Sequence, residues 1–233
     1  MKILLIYPEF PVTHWNFKHV LGLIAKKSTE PPLGLITVSA MLPEDWTRKL
    51  VDMNVNKLKD RDIKWADLVF ISGMVVQRKS FDQTVTRCKS LGARVVAGGP
   101  MVTERPEDFP EVDHLILNEA EITLQAFLDD LAAWSVQRVY KTDVFPDLKN
   151  TPVPDWSLLN MNQYVTMDLQ YSRGCPFNCE FCSITALFGH RPRVKSSDQF
   201  LTELDSLYSA GWRSTVFVVD DNFIGNKNYL KTE

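Results

Sequence analysis

The sequence predicts an α/β protein, a doubly wound parallel sheet followed by the opening βα units of a barrel. Three observations carry that expectation. Short continuous apolar runs, of the kind a strand buried on both faces requires, recur through the first half of the chain. Segments with apolar residues at helical spacing separate them. Prolines at 146, 152 and 154 then break both periodicities, and a new strand, loop and helix pattern follows.

The expected strands of the first unit are residues 2–7, 49–53, 68–72, 94–97 and 114–117. Between them the spacing predicts helices over Leu33–Met41, over 80–91 with Phe81, Val85 and Cys88 on one face, and over 121–134 with Leu124, Phe127, Leu128 and Leu131 on one face. Cys88 therefore reads as a core thiol. The division is a first domain at 1–140, a proline-containing linker at 141–164 and the start of a second domain at 165–233. In the second, a strand at 166–171 leads into a cysteine-rich loop. A helix follows from Ser197, with Ser196 and Gln199 at capping-box spacing, Phe200, Leu204, Leu207 and Tyr208 on its apolar face and Gly211 as its stop. A strand at 215–219 ends in Asp220-Asp221-Asn222.

Composition bounds the class. A chain of 233 residues that is 45% hydrophobic and 24% charged is ordinary for a globular protein. A net charge of -3 and a pI of about 5.9 give no global basic field, so nucleic acid is not an expected partner. The first apolar run is too short for a signal-peptide core and meets Pro8 and Glu9 at once, and no stretch approaches the ~20 apolar residues that span a bilayer. A cytoplasmic location without a transmembrane segment is expected.

Ligands of a doubly wound sheet bind at the carboxyl ends of its strands. Three unusual loops fall there: Ser72-Gly73-Met74, Gly98-Gly99-Pro100 and Asn118-Glu119-Ala120-Glu121. Glycines at such ends let backbone approach a bulky ligand, although Gly98-Gly99 also suits a tight turn. No G-x-G-x-x-G follows a strand and no G-x-x-x-x-G-K-[ST] occurs, which argues against a dinucleotide or a nucleoside triphosphate.

Cys175, Cys179 and Cys182 are spaced C-x3-C-x2-C within Tyr171-Ser172-Arg173-Gly174-Cys175-Pro176-Phe177-Asn178-Cys179-Glu180-Phe181-Cys182. Gly174 and Pro176 bend the chain where it leaves the strand, so that three thiolates can face one centre. Soft sulfur donors select iron–sulfur clusters or zinc. A four-iron cluster usually takes four cysteines, so three leave one iron open. Zinc with His190 as fourth ligand is the alternative, and a disulfide framework is disfavoured by four cysteines in a chain of this length.

This loop, with Phe181 just before its last cysteine, resembles the signature of the radical S-adenosylmethionine enzymes. The resemblance implies a 4Fe-4S cluster on Cys175, Cys179 and Cys182, S-adenosyl-L-methionine chelated at the open iron and cleaved to a 5'-deoxyadenosyl radical, and Phe181 beside the adenine. Pro31-Pro32-Leu33-Gly34-Leu35, Val51-Asp52, Ser72-Gly73-Met74, Ala97-Gly98-Gly99-Pro100 and Asn118-Glu119-Ala120-Glu121 are similar to the Rossmann-like cobalamin-binding domain of the hopanoid methylase-like branch of that superfamily. By that resemblance Pro32, Gly34, Ser72, Gly73, Met74, Gly98, Gly99, Pro100 and Glu119 seat the corrin and its tail, with Gly98 and Gly99 the closest contacts.

The D-x-H-x-x-G of histidine-ligating cobalamin domains is missing: His14 has Val12 two places before it and Phe17 three after. Cobalamin without a histidine cobalt ligand is expected, its lower face free or approached by the loop at 74–77. Residues 218–226 are similar to the branch's region where Asp220, Asp221 and Asn222 would hydrogen-bond the ammonium and ribose of S-adenosylmethionine; a plain turn is the other reading. His190, Arg191 and Arg193 either neutralise cluster or substrate charge or are solvated.

Barrels of this superfamily resemble six βα units, and about two strands of one are present. An amino-terminal portion of a longer protein is expected, inactive alone, its strand at 215–219 lacking a neighbour and exposing an apolar edge. The implied activity is methylation of an unactivated carbon: one S-adenosylmethionine recharges cobalamin to methylcobalamin and a second supplies the radical. Ring cyclisation or rearrangement with the same cofactors, and a non-catalytic corrinoid or electron carrier, are the alternatives. The implied partners are a small-molecule or lipid substrate, polycyclic lipids among them, and an external electron donor such as flavodoxin or ferredoxin.

Overall fold

Ile3, Leu4, Leu5 and Ile6 are all fully buried, as a strand covered on both faces demands. They lie in β1 (Lys2–Tyr7), inside a six-stranded sheet. The computed structural model describes residues 1–13 and 17–223. The sheet order is β2 (Thr47–Asp52), β1, β3 (Leu68–Ser72), β4 (Val95–Gly98), β5 (His114–Ile116), β6 (Val139–Tyr140), and every neighbouring pair is parallel. Because β1 sits between β2 and β3, the connections diverge there, which is where such sheets open a crevice.

The helices are α1 (Lys18–Leu21), α2 (Leu33–Met41), α3 (Asp60–Trp65), α4 (Arg78–Ser90), α5 (Pro100–Glu104) and α6 (Ala120–Ala132). Alternation along each strand sorts them onto two faces. Leu4, Ile6, Val69, Ile71, Val95 and Ala97 pack with Ile63 of α3, Phe81, Val85 and Cys88 of α4, and Met101 and Val102 of α5. Ile3, Leu5, Leu68, Phe70 and Val96 pack with Leu35 of α2 and Leu124, Phe127 and Leu128 of α6. Cys88 is fully buried, and burial pushes its thiol up to about 11, in keeping with a core role.

The segment at 141–164 is no loose spacer. It holds three short 3-10 turns and buries Leu148 and Trp156. Asp155 receives the Ser39 hydroxyl of α2 at 2.9 Å, and the Trp156 indole donates to Ser206 Oγ at 3.0 Å. Beyond it come β7 (Met167–Leu169), β8 (Ser172–Arg173), α7 (Ile184–Phe188), β9 (Arg193–Val194), α8 (Ser197–Ser209) and β10 (Val216–Val218). β10 pairs with β7 in parallel; among the described residues its other edge has no strand beside it, and its Phe217 is half-exposed.

α8 begins as the sequence implies, with Ser196 Oγ accepting from the Gln199 N–H, but Tyr208 is exposed and lies off its apolar face. A third core joins Met167, Leu169, Leu207 and Trp212 to Ile36 of α2 and Val55, so the two units share apolar contacts. Among the described residues no helix is long and apolar enough to cross a membrane.

Candidate functional site

A cavity of about 400 Å³ opens where the carboxyl ends of β1, β3, β4 and β5 face the second unit. Pro32, Gly34, Ser72, Gly73, Met74, Gly98, Gly99, Pro100 and Glu119 all line it. Leu33, Val38 and Phe70 supply apolar wall from the sheet side, and Leu187, Phe188 and Val219 supply it from the opposite side. Residues far apart in sequence, Phe70 and Leu187 among them, thus bound one space because the sheet's switch point faces the second unit.

The glycines divide by cause. A Cβ on Gly98 would lie 2.7 Å from the Ile116 carbonyl, and one on Gly99, whose φ is +93°, would lie 2.3 Å from Ser72 Oγ. Both are demanded by the sheet itself. A Cβ on Gly34 would meet nothing within 4 Å, yet Gly34 lines the cavity, so its missing side chain leaves room there. Apolar walls around a spot that any side chain would fill fit a large, flat ligand such as a corrinoid. On the rim, Met74 N–H donates to Gln77 Oε1 at 2.8 Å and Gln77 Nε2 to the Pro8 carbonyl at 2.6 Å, which fixes the turn at 74–77. His14 lies outside the described residues.

Glu119 lines the cavity, but its carboxylate is taken. Oε2 accepts from Arg173 Nη1 at 2.7 Å and Arg193 Nη1 at 3.0 Å, and Oε1 accepts from Arg193 Nη2 at 2.7 Å. Arg173 also pairs with Glu121 at 2.8 Å, and Lys195 meets Glu203 at 2.5 Å. Three carboxylates and three cations balance each other here. Burial alone would raise the Glu121 carboxyl, but the Arg173 guanidinium beside it holds it below its usual range. Burial raises the Glu203 carboxyl and lowers the Lys195 ammonium, each against the pull of the other. Arg193, read from sequence as a charge neutraliser or a solvated residue, is instead part of this cluster.

The cysteine loop is closed at its base by β8 and β9, which run antiparallel. Gly174 has φ of +91°, and a Cβ there would crowd the carbonyl oxygens of Arg191, Phe188 and Gly189 at 2.9 to 3.1 Å. All three thiols are free, with Cys179 and Cys182 exposed. They suit a soft metal or an iron–sulfur cluster in donor chemistry. Among the described residues, however, no three His, Cys, Asp or Glu side chains are gathered as a metal-holding group, with His190 or without it. Phe181, expected beside an adenine, is 94% exposed.

Asp220, Asp221 and Asn222 all reach back to this loop. Asp220 Oδ1 accepts from Tyr171 N–H at 2.7 Å, and Oδ2 accepts from Ser172 N–H at 2.9 Å and its hydroxyl at 2.5 Å. Both oxygens therefore hold the strand. Burial raises the Asp221 carboxyl, opposed by the Gly174 backbone N–H, and Asn222 Nδ2 lies 3.5 Å from Cys175 Sγ. Residues 224–226 of this stretch lie outside the described residues.

The sequence reading missed Lys195, Glu203, Leu187 and Phe188 as cavity residues. The register of β9 against β8, the docking of α7 and the placement of α8 bring them in, and no local pattern announces any of these. Arg173, two places before the first loop cysteine, was open to notice.

Residues 21–128 match the B12 binding domain family. The chain is 46% identical over 233 residues to an uncharacterized methyltransferase of Synechocystis, which it matches over 99% of itself and 44% of that protein. It is 35% identical over 231 residues to the hopanoid C-2 methylase of Rhodopseudomonas palustris, over 97% of itself and 44% of the methylase. Among solved structures, the radical S-adenosylmethionine methyltransferase TsrM from Kitasatospora setae, with cobalamin and a [4Fe-4S] cluster bound, gives a TM-score of 0.67 at 13% identity, over 99% of this chain and 50% of that one. That likeness is one of fold. The chain spans less than half the length of the two curated relatives named here.

Proposed function

We propose that this chain, whose residues 21–128 match the B12 binding domain family and which is similar to the hopanoid C-2 methylase of Rhodopseudomonas palustris, serves radical methylation of an unactivated carbon. The observation that carries the proposal is the cavity bounded on one side by the crevice residues and on the other by the base of the cysteine loop. Cys175, Cys179 and Cys182 would hold an iron–sulfur cluster, which with S-adenosylmethionine would supply radical chemistry at a substrate carbon, and the cavity residues would hold a corrinoid, which would supply a methyl carrier.

The chain's own share is placement. Leu33, Val38, Phe70, Leu187 and Phe188 give the cavity its apolar wall, and Gly34 leaves room for a flat ring. Asp220 holds the strand that delivers Cys175. The substrate lies between crevice and loop, a small molecule or a lipid, and a polycyclic lipid suits the hopanoid relative. One electron enters from an external donor such as flavodoxin or ferredoxin.

The test is anaerobic reconstitution of the chain with iron and sulfide, followed by electron paramagnetic resonance and absorption spectra with and without S-adenosylmethionine. A cluster signal that changes on adding S-adenosylmethionine is expected. A signal indifferent to it favours an electron carrier, and a colourless zinc protein defeats the radical reading.

A further inference from the structure

We infer that Glu119 and Arg193 are positioning residues that couple the crevice to the cysteine loop, so that a corrinoid filling the cavity orders that loop. The inference rests on the corrinoid reading proposed above. Residues 174–192 leave and re-enter the fold through β8 and β9, whose register sets Arg173 opposite Arg193. Both guanidinium groups at that base turn onto one carboxylate across the domain boundary, that of Glu119, which is 4% exposed. Arg193 also donates to the carbonyls of Pro146 at 2.9 Å and Phe188 at 3.2 Å, and lies 5.0 Å from the centre of the Phe145 ring. Linker, loop and first domain therefore meet at Arg193.

The same clamp forms part of the cavity. Glu119 and Arg173 both line it, and Glu119 immediately precedes α6 just beyond the carboxyl end of β5. Toward its tip the loop turns outward, with Phe177, Phe181, Cys179 and Cys182 exposed. The clamp is thus the link between the space a ligand would fill and the thiols that would hold a metal. A corrinoid ring in the cavity displaces water from the side of the clamp that lines it, and charge-assisted hydrogen bonds strengthen as the surroundings become less polar. A loop conformation that draws an arginine away from Glu119 then costs more, because a buried charge without its partner is heavily penalised. Coupling of this kind is reciprocal: whatever orders the loop also tightens the crevice.

The experiment uses the full chain without reconstituted metal and cyanocobalamin as the probe. The rate of alkylation of each cysteine by iodoacetamide is followed by peptide mapping, with and without saturating cyanocobalamin; buried Cys88 is the unreactive reference. Cyanocobalamin is expected to slow alkylation of Cys175 roughly threefold or more. Arg193→Gln and Arg193→Met, at a position outside the cavity lining, are expected to bind cyanocobalamin yet lose that protection, and Arg193→Lys to recover part of it. Two variants guard against one failing to fold. Binding without protection in the parent chain overturns the inference alone, as does protection undiminished in both Arg193→Gln and Arg193→Met, which would mark simple shielding by the ligand. No binding by the parent chain overturns the functional reading and this inference with it.

Discussion

Asp168 in β7 is 3% exposed, its Oδ1 has no hydrogen-bond partner, and its carboxyl is pushed up to about 8, first by burial and then by the nearby Glu30 carboxylate. An unfolded aspartate titrates near 3.9, so between the two values the folded chain holds a proton that the unfolded chain has released. The stability this gives is full below the unfolded value and is lost as pH rises through the folded one. Asp168→Asn keeps the shape and removes the titration. Thermal unfolding followed from about pH 5 to 8.5 should show the parent chain losing stability more steeply than the Asn variant; parallel profiles would refute a protonated Asp168. Legibility at this scale was uneven. The crevice residues were readable because glycine and polar residues at strand ends are chemically conspicuous. That the Glu119 and Asp220 carboxylates also hold partners 54, 74 and 48 positions away was not legible, because no local pattern announces so distant a contact.

Elements were legible in proportion to their length and periodicity. α2 was read at its observed bounds because Pro31-Pro32 and Pro43 bracket it, and α4 and α6 differ from expectation only at their ends. α3 and α5 escaped: six residues dominated by charge, or five opened by Pro100, carry too little apolar period to register. β6 escaped because two residues make no pattern, although Tyr140 packs edge-on to Phe127 and donates to Asp130 at 2.9 Å. α8 was announced by its cap. Ser196→Ala should destabilise the chain by about 1 kcal/mol in denaturant titration, since the Gln199 N–H loses its acceptor. A cost near zero would mean that the packing of Leu207 and Glu203 alone fixes the helix start.

For the whole molecule, the parallel doubly wound sheet was legible because strands buried on both faces write continuous apolar runs. The attachment of the second unit was not. It depends on Tyr164 Oη donating to Asp52 at 3.0 Å, on backbone hydrogen bonds between residues 27–29 and 163–166, and on Ile36 entering the third core. These are long-range contacts between segments that each look like loop, and they place the cysteine-loop base opposite the crevice. The most direct measurement is equilibrium binding of cyanocobalamin to the parent chain and to Gly34→Phe, with thermal unfolding of both. The parent should retain one corrinoid per chain through gel filtration, and Gly34→Phe should lose it without losing stability, because a Cβ at this position meets nothing but open space. A parent chain that takes up no corrinoid, or a Phe variant that binds it as well, would contradict the assignment of the cavity.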